Sequence, residues 1–265
     1  MERLKDKTAM VVGAGSIGPG WGNGKATAAI FAREGAQVFC VDRNAAAAEE
    51  TVGIIKGEGG DATAFTADVS RASEVEAMVE ACLKAYGRID VLDNNVGIAE
   101  MGSVVEVTES EWDRVFAVNL KSAFLAMKHV VPVMQKQGGG AIVMINSLVT
   151  RKPMPYQGGY AMSKAALTAA TAQLALELGR YGIRVNSAYM GWMMGPPVEG
   201  YLRDAAGKQG TTVEAMAKGI ARSIPLGRIP DDADCAKAAL FLASDYACVV
   251  TGAALDVNGG EFLPR

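Results

Sequence analysis

The chain has 265 residues, half of them apolar, with 26 basic side chains against 29 acidic ones and a formal net charge of −3. That is ample for one large core, because a fold of this size hides roughly 75% of its unfolded surface, so disorder and fibrous structure are excluded. No block of Lys and Arg is present, which removes the driving term for phosphate-backbone binding, and nucleic acid is not an expected partner.

Short β-branched runs alternate with longer amphipathic stretches along the chain. The pattern predicts strands over Thr8–Gly13, Gln37–Asp42, Thr63–Ala67, Val91–Asn94, Ala141–Asn146, Ile183–Ala188 and Ala253–Val257. Helices are predicted over Gly24–Arg33, Ala45–Ile55, Ala72–Ala85, Ser110–Gln135, Tyr160–Gly179 and Asp232–Ala243. Strand then helix, repeated, is the signature of a parallel sheet covered on both faces. The expected fold class is therefore α/β, a doubly wound parallel sheet of about seven strands in a single domain over 1–265. Gly35, Gly87 and Gly182 fall just past helices, and Asp231 or Asp232 is placed to cap the next one. The segment 190–230, rich in Gly, Pro and Met with a helical stretch near Val213 to Arg222, breaks the rhythm and reads as a lid.

Cys40, Cys82, Cys235 and Cys248 contain no C-x-x-C pair, and His129 is the single histidine, so neither a zinc site nor a disulfide framework fits. Met1–Lys7 alternates charge where a signal peptide needs an apolar stretch. No run of about eighteen apolar residues occurs anywhere. A soluble, reduced, cytoplasmic protein with no metal and no membrane partner is expected.

The first strand runs into Gly13-Ala14-Gly15-Ser16-Ile17-Gly18-Pro19-Gly20-Trp21-Gly22-Asn23-Gly24, and a helix follows. Such a turn brings backbone close to a pyrophosphate, and the free N–H groups of the helix start favour negative charge. Gly13, Ser16, Gly22 and Asn23 are the candidates there, with a purely structural turn as the alternative. Asp42 ends the second strand, where an acid would accept hydrogen bonds from the adenosine ribose and favour NAD. Arg43 beside it could meet a 2′-phosphate, but the adjacent carboxylate opposes that.

Asp68-Val69, Asn94-Asn95-Val96-Gly97, Ser147 and Tyr160-Ala161-Met162-Ser163-Lys164 follow in this order. Singly each has a plain reading, as helix cap, turn residue or common helix pair. Together they make chemistry. Tyr160 and Lys164 sit one helical turn apart, with Cβ atoms about 5–6 Å from each other. A phenol has a pKa near 10, and a cation at about 4–6 Å moves a partner by roughly 1–3 units. Tyr160 can then act as general base for alcohol oxidation and general acid for ketone reduction. Ser147 can bond the substrate oxygen where charge develops.

With these motifs the sequence resembles the short-chain dehydrogenase/reductase family over essentially its whole length, including Val118-Asn119-Leu120 and the thirteen-residue separation of Ser147 from Tyr160. The resemblance implies a Rossmann fold and a homotetramer, with the helices carrying Asn119 and Tyr160 at one interface. It implies cofactor contacts from Asp68, Val69, Asn95, Gly97, Tyr160 and Lys164, and a catalytic set of Asn119, Ser147, Tyr160 and Lys164. Asn119 would hold a water linking Lys164 to solvent; a buried Asn fixing a helix bulge is the alternative.

The sequence departs from the family in two places. About five residues around Ile17 to Trp21 lengthen the glycine turn. A similar turn occurs in the enoyl reductase branch, but tyrosine and lysine are more widely spaced there, so Tyr160-x-x-x-Lys164 favours carbonyl chemistry. After the sixth strand Met190 replaces the family's proline and Gly195 stands near the place of its threonine, which leaves the backbone of Met193 to hold the nicotinamide amide.

Met154, Tyr156, Trp192 and Met194 are the candidate substrate-pocket residues, with a subunit contact as the alternative for the cluster of Met190, Trp192, Met193 and Met194, and mobile thioethers beside rings suit a bulky apolar ring. The sequence thus supports an NAD-dependent oxidoreductase of cyclic or aryl secondary alcohols and ketones. An NADPH-dependent 3-oxoacyl thioester reductase is the alternative, and a non-catalytic cofactor-sensing protein on the same fold a third reading.

Overall fold

The computed structural model describes residues 2–263; Met1, Pro264 and Arg265, the ends of the domain expected over 1–265, lie outside them. Seven strands form one parallel sheet, β1 (Thr8–Val12), β2 (Gln37–Asp42), β3 (Asp61–Thr66), β4 (Val91–Asn94), β5 (Gly140–Ser147), β6 (Ile183–Met190) and β7 (Ala254–Val257). Their spatial order is β3-β2-β1-β4-β5-β6-β7. The order reverses between β1 and β4, and in such sheets ligands bind at the carboxyl ends of the strands beside that switch.

The sheet is buried on both faces because alternate side chains of each strand feed different cores. Met10, Val12, Leu92, Ile142 and Met144 pack under helices α3 (Ala72–Tyr86), α5 (Ser122–Gln137) and α6 (Gly158–Leu178). Ala9, Val11, Val91, Val143 and Ile145 pack under α1 (Asn23–Arg33), α2 (Ala45–Gly57) and α9 (Asp232–Ala243).

The helix expected over Ser110–Gln135 is broken. Helix α4 (Glu109–Phe116), opened by a Thr108/Glu111 capping box, runs into a π-helical turn at Ala117–Lys121 before α5 begins. The segment 190–230 holds α8 (Val213–Ser223) and, before it, α7 (Pro196–Gln209). Pro196 and Pro197 mask the start of α7 in sequence, although proline suits a first helical turn, where its missing N–H has no partner to lose. Of the two candidate caps of α9, Asp231 is the one that serves, accepting from the Asp234 N–H at 2.9 Å.

Candidate active site

Helix α1 starts directly behind the glycine turn, with Gly22 as its N-cap and no side-chain cap or acidic residue in its first turn. Its first N–H groups therefore remain available to an anion. Gly24 permits the close entry, since a Cβ there would lie 1.8 Å from the Gly13 carbonyl oxygen. Ser16 Oγ and Asn23 Oδ1 are buried in the turn without a protein hydrogen-bond partner. Buried polar atoms are nearly always paired, so the orphaned Ser16 hydroxyl, a donor beside an uncapped helix start, fits the phosphates of a dinucleotide, while Asn23 Oδ1 can only accept.

Asp42 Oδ2 accepts from the Gly15 N–H at 3.0 Å and Oδ1 from the Asn44 N–H at 2.9 Å. Each oxygen keeps a further lone pair for a ribose hydroxyl. Asp68 Oδ1 accepts from the Ser70 hydroxyl at 2.6 Å and N–H at 3.0 Å, and these bonds hold its carboxyl below the usual range. Val69 is buried in the core. Asn95 donates to Asp93 at 3.0 Å. Gly97 passes beside the dyad, where a Cβ would lie 3.1 Å from Lys164 Nζ.

Ser147 ends β5, next to Met190 at the end of β6, and Tyr160 and Lys164 lie in the opening turns of α6. The Tyr160 phenol lies beside Ser147; burial pushes the phenol up and the Ser147 hydroxyl pulls it down. Lys164, 3% exposed, donates to the Ile145 carbonyl at 2.8 Å, with Nζ 6.0 Å from the Tyr160 ring centre. Burial lowers its ammonium to about 8. Asn119 is fully buried in the π-helical turn and clasps Ile98 through two bonds of 2.8 Å.

Sequence reasoning missed two residues of this site. Glu100, 60 positions before Tyr160, is buried and accepts from the Tyr160 N–H at 3.0 Å, holding the first turn of α6. Lys25 is 1% exposed; it donates to the Gly20 carbonyl at 2.8 Å and pairs with Glu50 at 2.8 Å, anchoring the lengthened turn to α2. No spacing rule signals either contact, because both partners arrive through the fold.

On the substrate side Trp192 packs on Tyr201 of α7, ring centres 5.3 Å apart. Met193 is buried in the α9-side core, while Met154 and Tyr156 stand exposed before α6. Met194 donates its N–H to the Pro230 carbonyl at 2.7 Å and, alone of the four pocket candidates, lines a cavity of about 430 Å³ against α1 and α9. Among the described residues no hydrogen bond or ring contact joins Met154 or Tyr156 to Trp192 or Met194.

The family described as Enoyl-(Acyl carrier protein) reductase matches residues 18–261. The 3-oxoacyl-[acyl-carrier-protein] reductase FabG of Thermotoga maritima is 36% identical over 259 residues, 97% of this chain and 98% of the relative. The 2,5-dichloro-2,5-cyclohexadiene-1,4-diol dehydrogenase LinX of Sphingobium indicum is 35% identical over 258 residues, 97% of each chain. A crystal structure from Burkholderia xenovorans, described as a short-chain dehydrogenase/reductase, superposes with a TM-score of 0.91 at 40% identity, covering 98% of this chain and 97% of its own.

Proposed function

The chain belongs to the short-chain dehydrogenase/reductase family, and from that premise we propose that it moves a hydride between NAD(H) and a secondary alcohol or its ketone, on a bulky apolar cyclic or aryl substrate. The observation that carries this reading is Ser147 at the end of β5 beside the Tyr160 phenol, with Lys164 one turn further along α6. A bound nicotinamide dinucleotide supplies the two-electron partner, taking or giving a hydride at the carbinol carbon. Ser147 holds the substrate oxygen, and Tyr160 Oη takes the hydroxyl proton in oxidation or returns it in reduction. The Lys164 ammonium favours the phenolate by its charge, so the dyad works as a pair. Asn119 belongs to the same set through the turn that faces Lys164.

For the cofactor, Gly13, Ser16, Gly22 and Asn23 would surround the pyrophosphate, Asp42 the adenosine ribose, and Asp68, Val69, Asn95 and Gly97 the adenosine end and its approach. The backbone of Met193 would hold the nicotinamide amide. Asp42, a carboxylate held between the glycine turn at Gly15 and the start of α2 at Asn44, supports NAD over NADP.

Thioester reduction is the second reading, favoured by the name of the Thermotoga relative. Two cations near the pocket weigh against it. Arg151 is 3.4 Å from Asp256 and covers the Tyr189 ring at 4.2 Å, and Lys152 pairs with Glu261 at 2.8 Å. Both stand in ion pairs, and Arg203 on α7, exposed and 3.8 Å from Glu199, is the cation that keeps the thioester reading open. The cyclic substrate named for the Sphingobium relative supports the first reading.

A homotetramer is part of the proposal. Phe124 on α5 and Leu176 on α6 are exposed apolar side chains on the two helices that would form one interface.

The test is kcat/KM for cyclic, aryl and straight-chain secondary alcohols and a 3-oxoacyl thioester, each with NAD+/NADH and NADP+/NADPH. Highest efficiency is expected for a cyclic or aryl alcohol with NAD+. Preference for NADPH and the thioester would overturn the reading in favour of the second, and cofactor binding with no turnover of any substrate would replace it with the sensing protein.

A further inference from the structure

Helix α9 opens on two aspartates with different fates. Asp231 caps the helix, whereas Asp232 is 7% exposed and its carboxylate neither accepts a hydrogen bond nor meets a cation among the described residues. A buried carboxylate without a partner is costly, and the groups around it offer no relief. Pro196 and Pro197 start the adjacent helix α7 without N–H donors. Arg33, on the wall of the same cavity, commits its guanidinium to both oxygens of Glu58, at 2.7 and 2.6 Å.

Asp232 lines the cavity of about 430 Å³ together with Pro19 and Trp21 from the glycine turn, Ile30 from α1, and Met194 and Pro196 from the start of the lid. That volume suits a small ligand. The cavity borders α1 and α9, on the sheet face opposite α6, which carries Tyr160 and Lys164. Asp231 and Glu199 also line it, and the cation on its wall, Arg33, is paired with Glu58, so the unpaired charge facing the cavity is negative.

We infer that this cavity is a second ligand site, for an amphipathic organic cation, with a primary ammonium on Asp232 and an aryl body between Trp21 and Met194. A carboxylate bound to an ammonium makes a charge-assisted hydrogen bond, stronger than a neutral one, and an aromatic wall adds attraction for the cation. The apolar walls disfavour a bare divalent metal, which needs six or more oxygens or retained waters. Burial, reinforced by Asp231 and Glu199, raises the Asp232 carboxyl to about 6, which leaves it charged at neutral pH for the ammonium to meet.

The test titrates 2-phenylethylammonium, and separately its neutral relative 2-phenylacetamide, into the full chain at pH 7.5, followed by calorimetry and by tryptophan fluorescence. The amine is expected to saturate below about 10 mM and to bind at least tenfold more tightly than the amide. Asp232→Asn should weaken the amine at least tenfold and leave the amide unchanged, and Tyr160→Phe should alter neither. Equal binding of amine and amide to the unaltered protein, no saturation of the amine, or loss of binding in Tyr160→Phe would each overturn the inference. The comparison of amine with amide decides even if Asp232→Asn does not fold.

Discussion

The Asn119 amide donates to the Ser163 hydroxyl at 2.9 Å, and that hydroxyl donates to the Tyr160 carbonyl at 2.8 Å. The π-helical turn is thereby tied to the turn of α6 that carries the phenol. The remaining amide hydrogen and the carbonyl oxygen of Asn119 are spent on Ile98. Asn119→Ala leaves the Ile98 N–H and carbonyl without partners, each costing about 1–3 kcal/mol when buried. Urea denaturation should show a loss on the order of 2 kcal/mol, together with a fall in kcat larger than any change in KM for NAD+. A variant as stable and as active as the parent would remove Asn119 from the site.

Tyr160→Phe should lower kcat by about 10²–10⁴ while NADH binding, read by fluorescence, stays nearly unchanged, because only the hydroxyl is lost. Lys164→Ala should move the rising limb of the oxidation pH–rate profile upward by about one unit or more. The sign follows from the phenol, which burial already pushes up and which then loses its neighbouring cation. An unshifted profile in a variant that still binds NADH would contradict the role of Lys164.

Local pattern made much of this legible. The strand cores and the ends of α1, α2 and α3 follow from apolar runs and flanking glycines, and Asp42, Ser147, Tyr160 and Lys164 lie where periodicity puts them. What stayed hidden depends on partners remote in the chain. A helix bulge at Asn119 is one of two sequence readings, but its extent, the π-helical turn at Ala117–Lys121 where Asn119 is held by Ile98, 21 positions away, is announced by no apolar period. Helix α7 carries Gly200 and Gly207 inside it, each costing about 1 kcal/mol against alanine, and is held by burial of Leu202 and Ala206. Glu100 and Lys25 become site residues only when the fold brings a backbone group to them.

Asp93 offers a pH test of the core beneath the cofactor cleft. Its carboxyl is fully buried, only partly relieved by Asn95, and raised to about 7. An unfolded Asp titrates near 3.9, so between these values the native state binds more protons than the unfolded one. Stability from this group is therefore greatest below about 4 and is lost as pH rises through 7. Asp93→Asn removes the titration: the stability of the parent relative to this variant should fall steadily from pH 4 to pH 7 in urea melts. A flat or rising difference would mean that Asp93 is ionised in the folded chain.

Asp42 has two duties, and its variants should separate them. The carboxylate fixes Gly15 and Asn44 in place and repels a 2′-phosphate. Asp42→Asn keeps a carbonyl acceptor but removes the charge, so the ratio of kcat/KM for NAD+ over NADP+ should drop about tenfold, a loss of about 1.4 kcal/mol of discrimination. Asp42→Ala should lower the same ratio and in addition raise KM for both cofactors, because the glycine turn loses its anchor. An unaltered ratio in both variants would place cofactor choice elsewhere.

Trp192 bears on the shape of the substrate. It follows β6 at the sheet's carboxyl edge and packs against Tyr201 of α7, ring centres 5.3 Å apart. Deleting a large aromatic wall removes contact area that only a bulky substrate can use, and such contacts are worth about 25 cal/mol per Å² of apolar surface. Trp192→Ala should therefore lower kcat/KM for a cyclic or aryl alcohol at least tenfold more than for a short straight-chain alcohol. Tyr201→Ala supplies the control, since it loosens the lid while leaving the indole in place. It should reduce both substrates alike. If Trp192→Ala also costs the two classes equally, the indole serves the lid and does not read the substrate, and the preference for rings must come from other walls of the cleft.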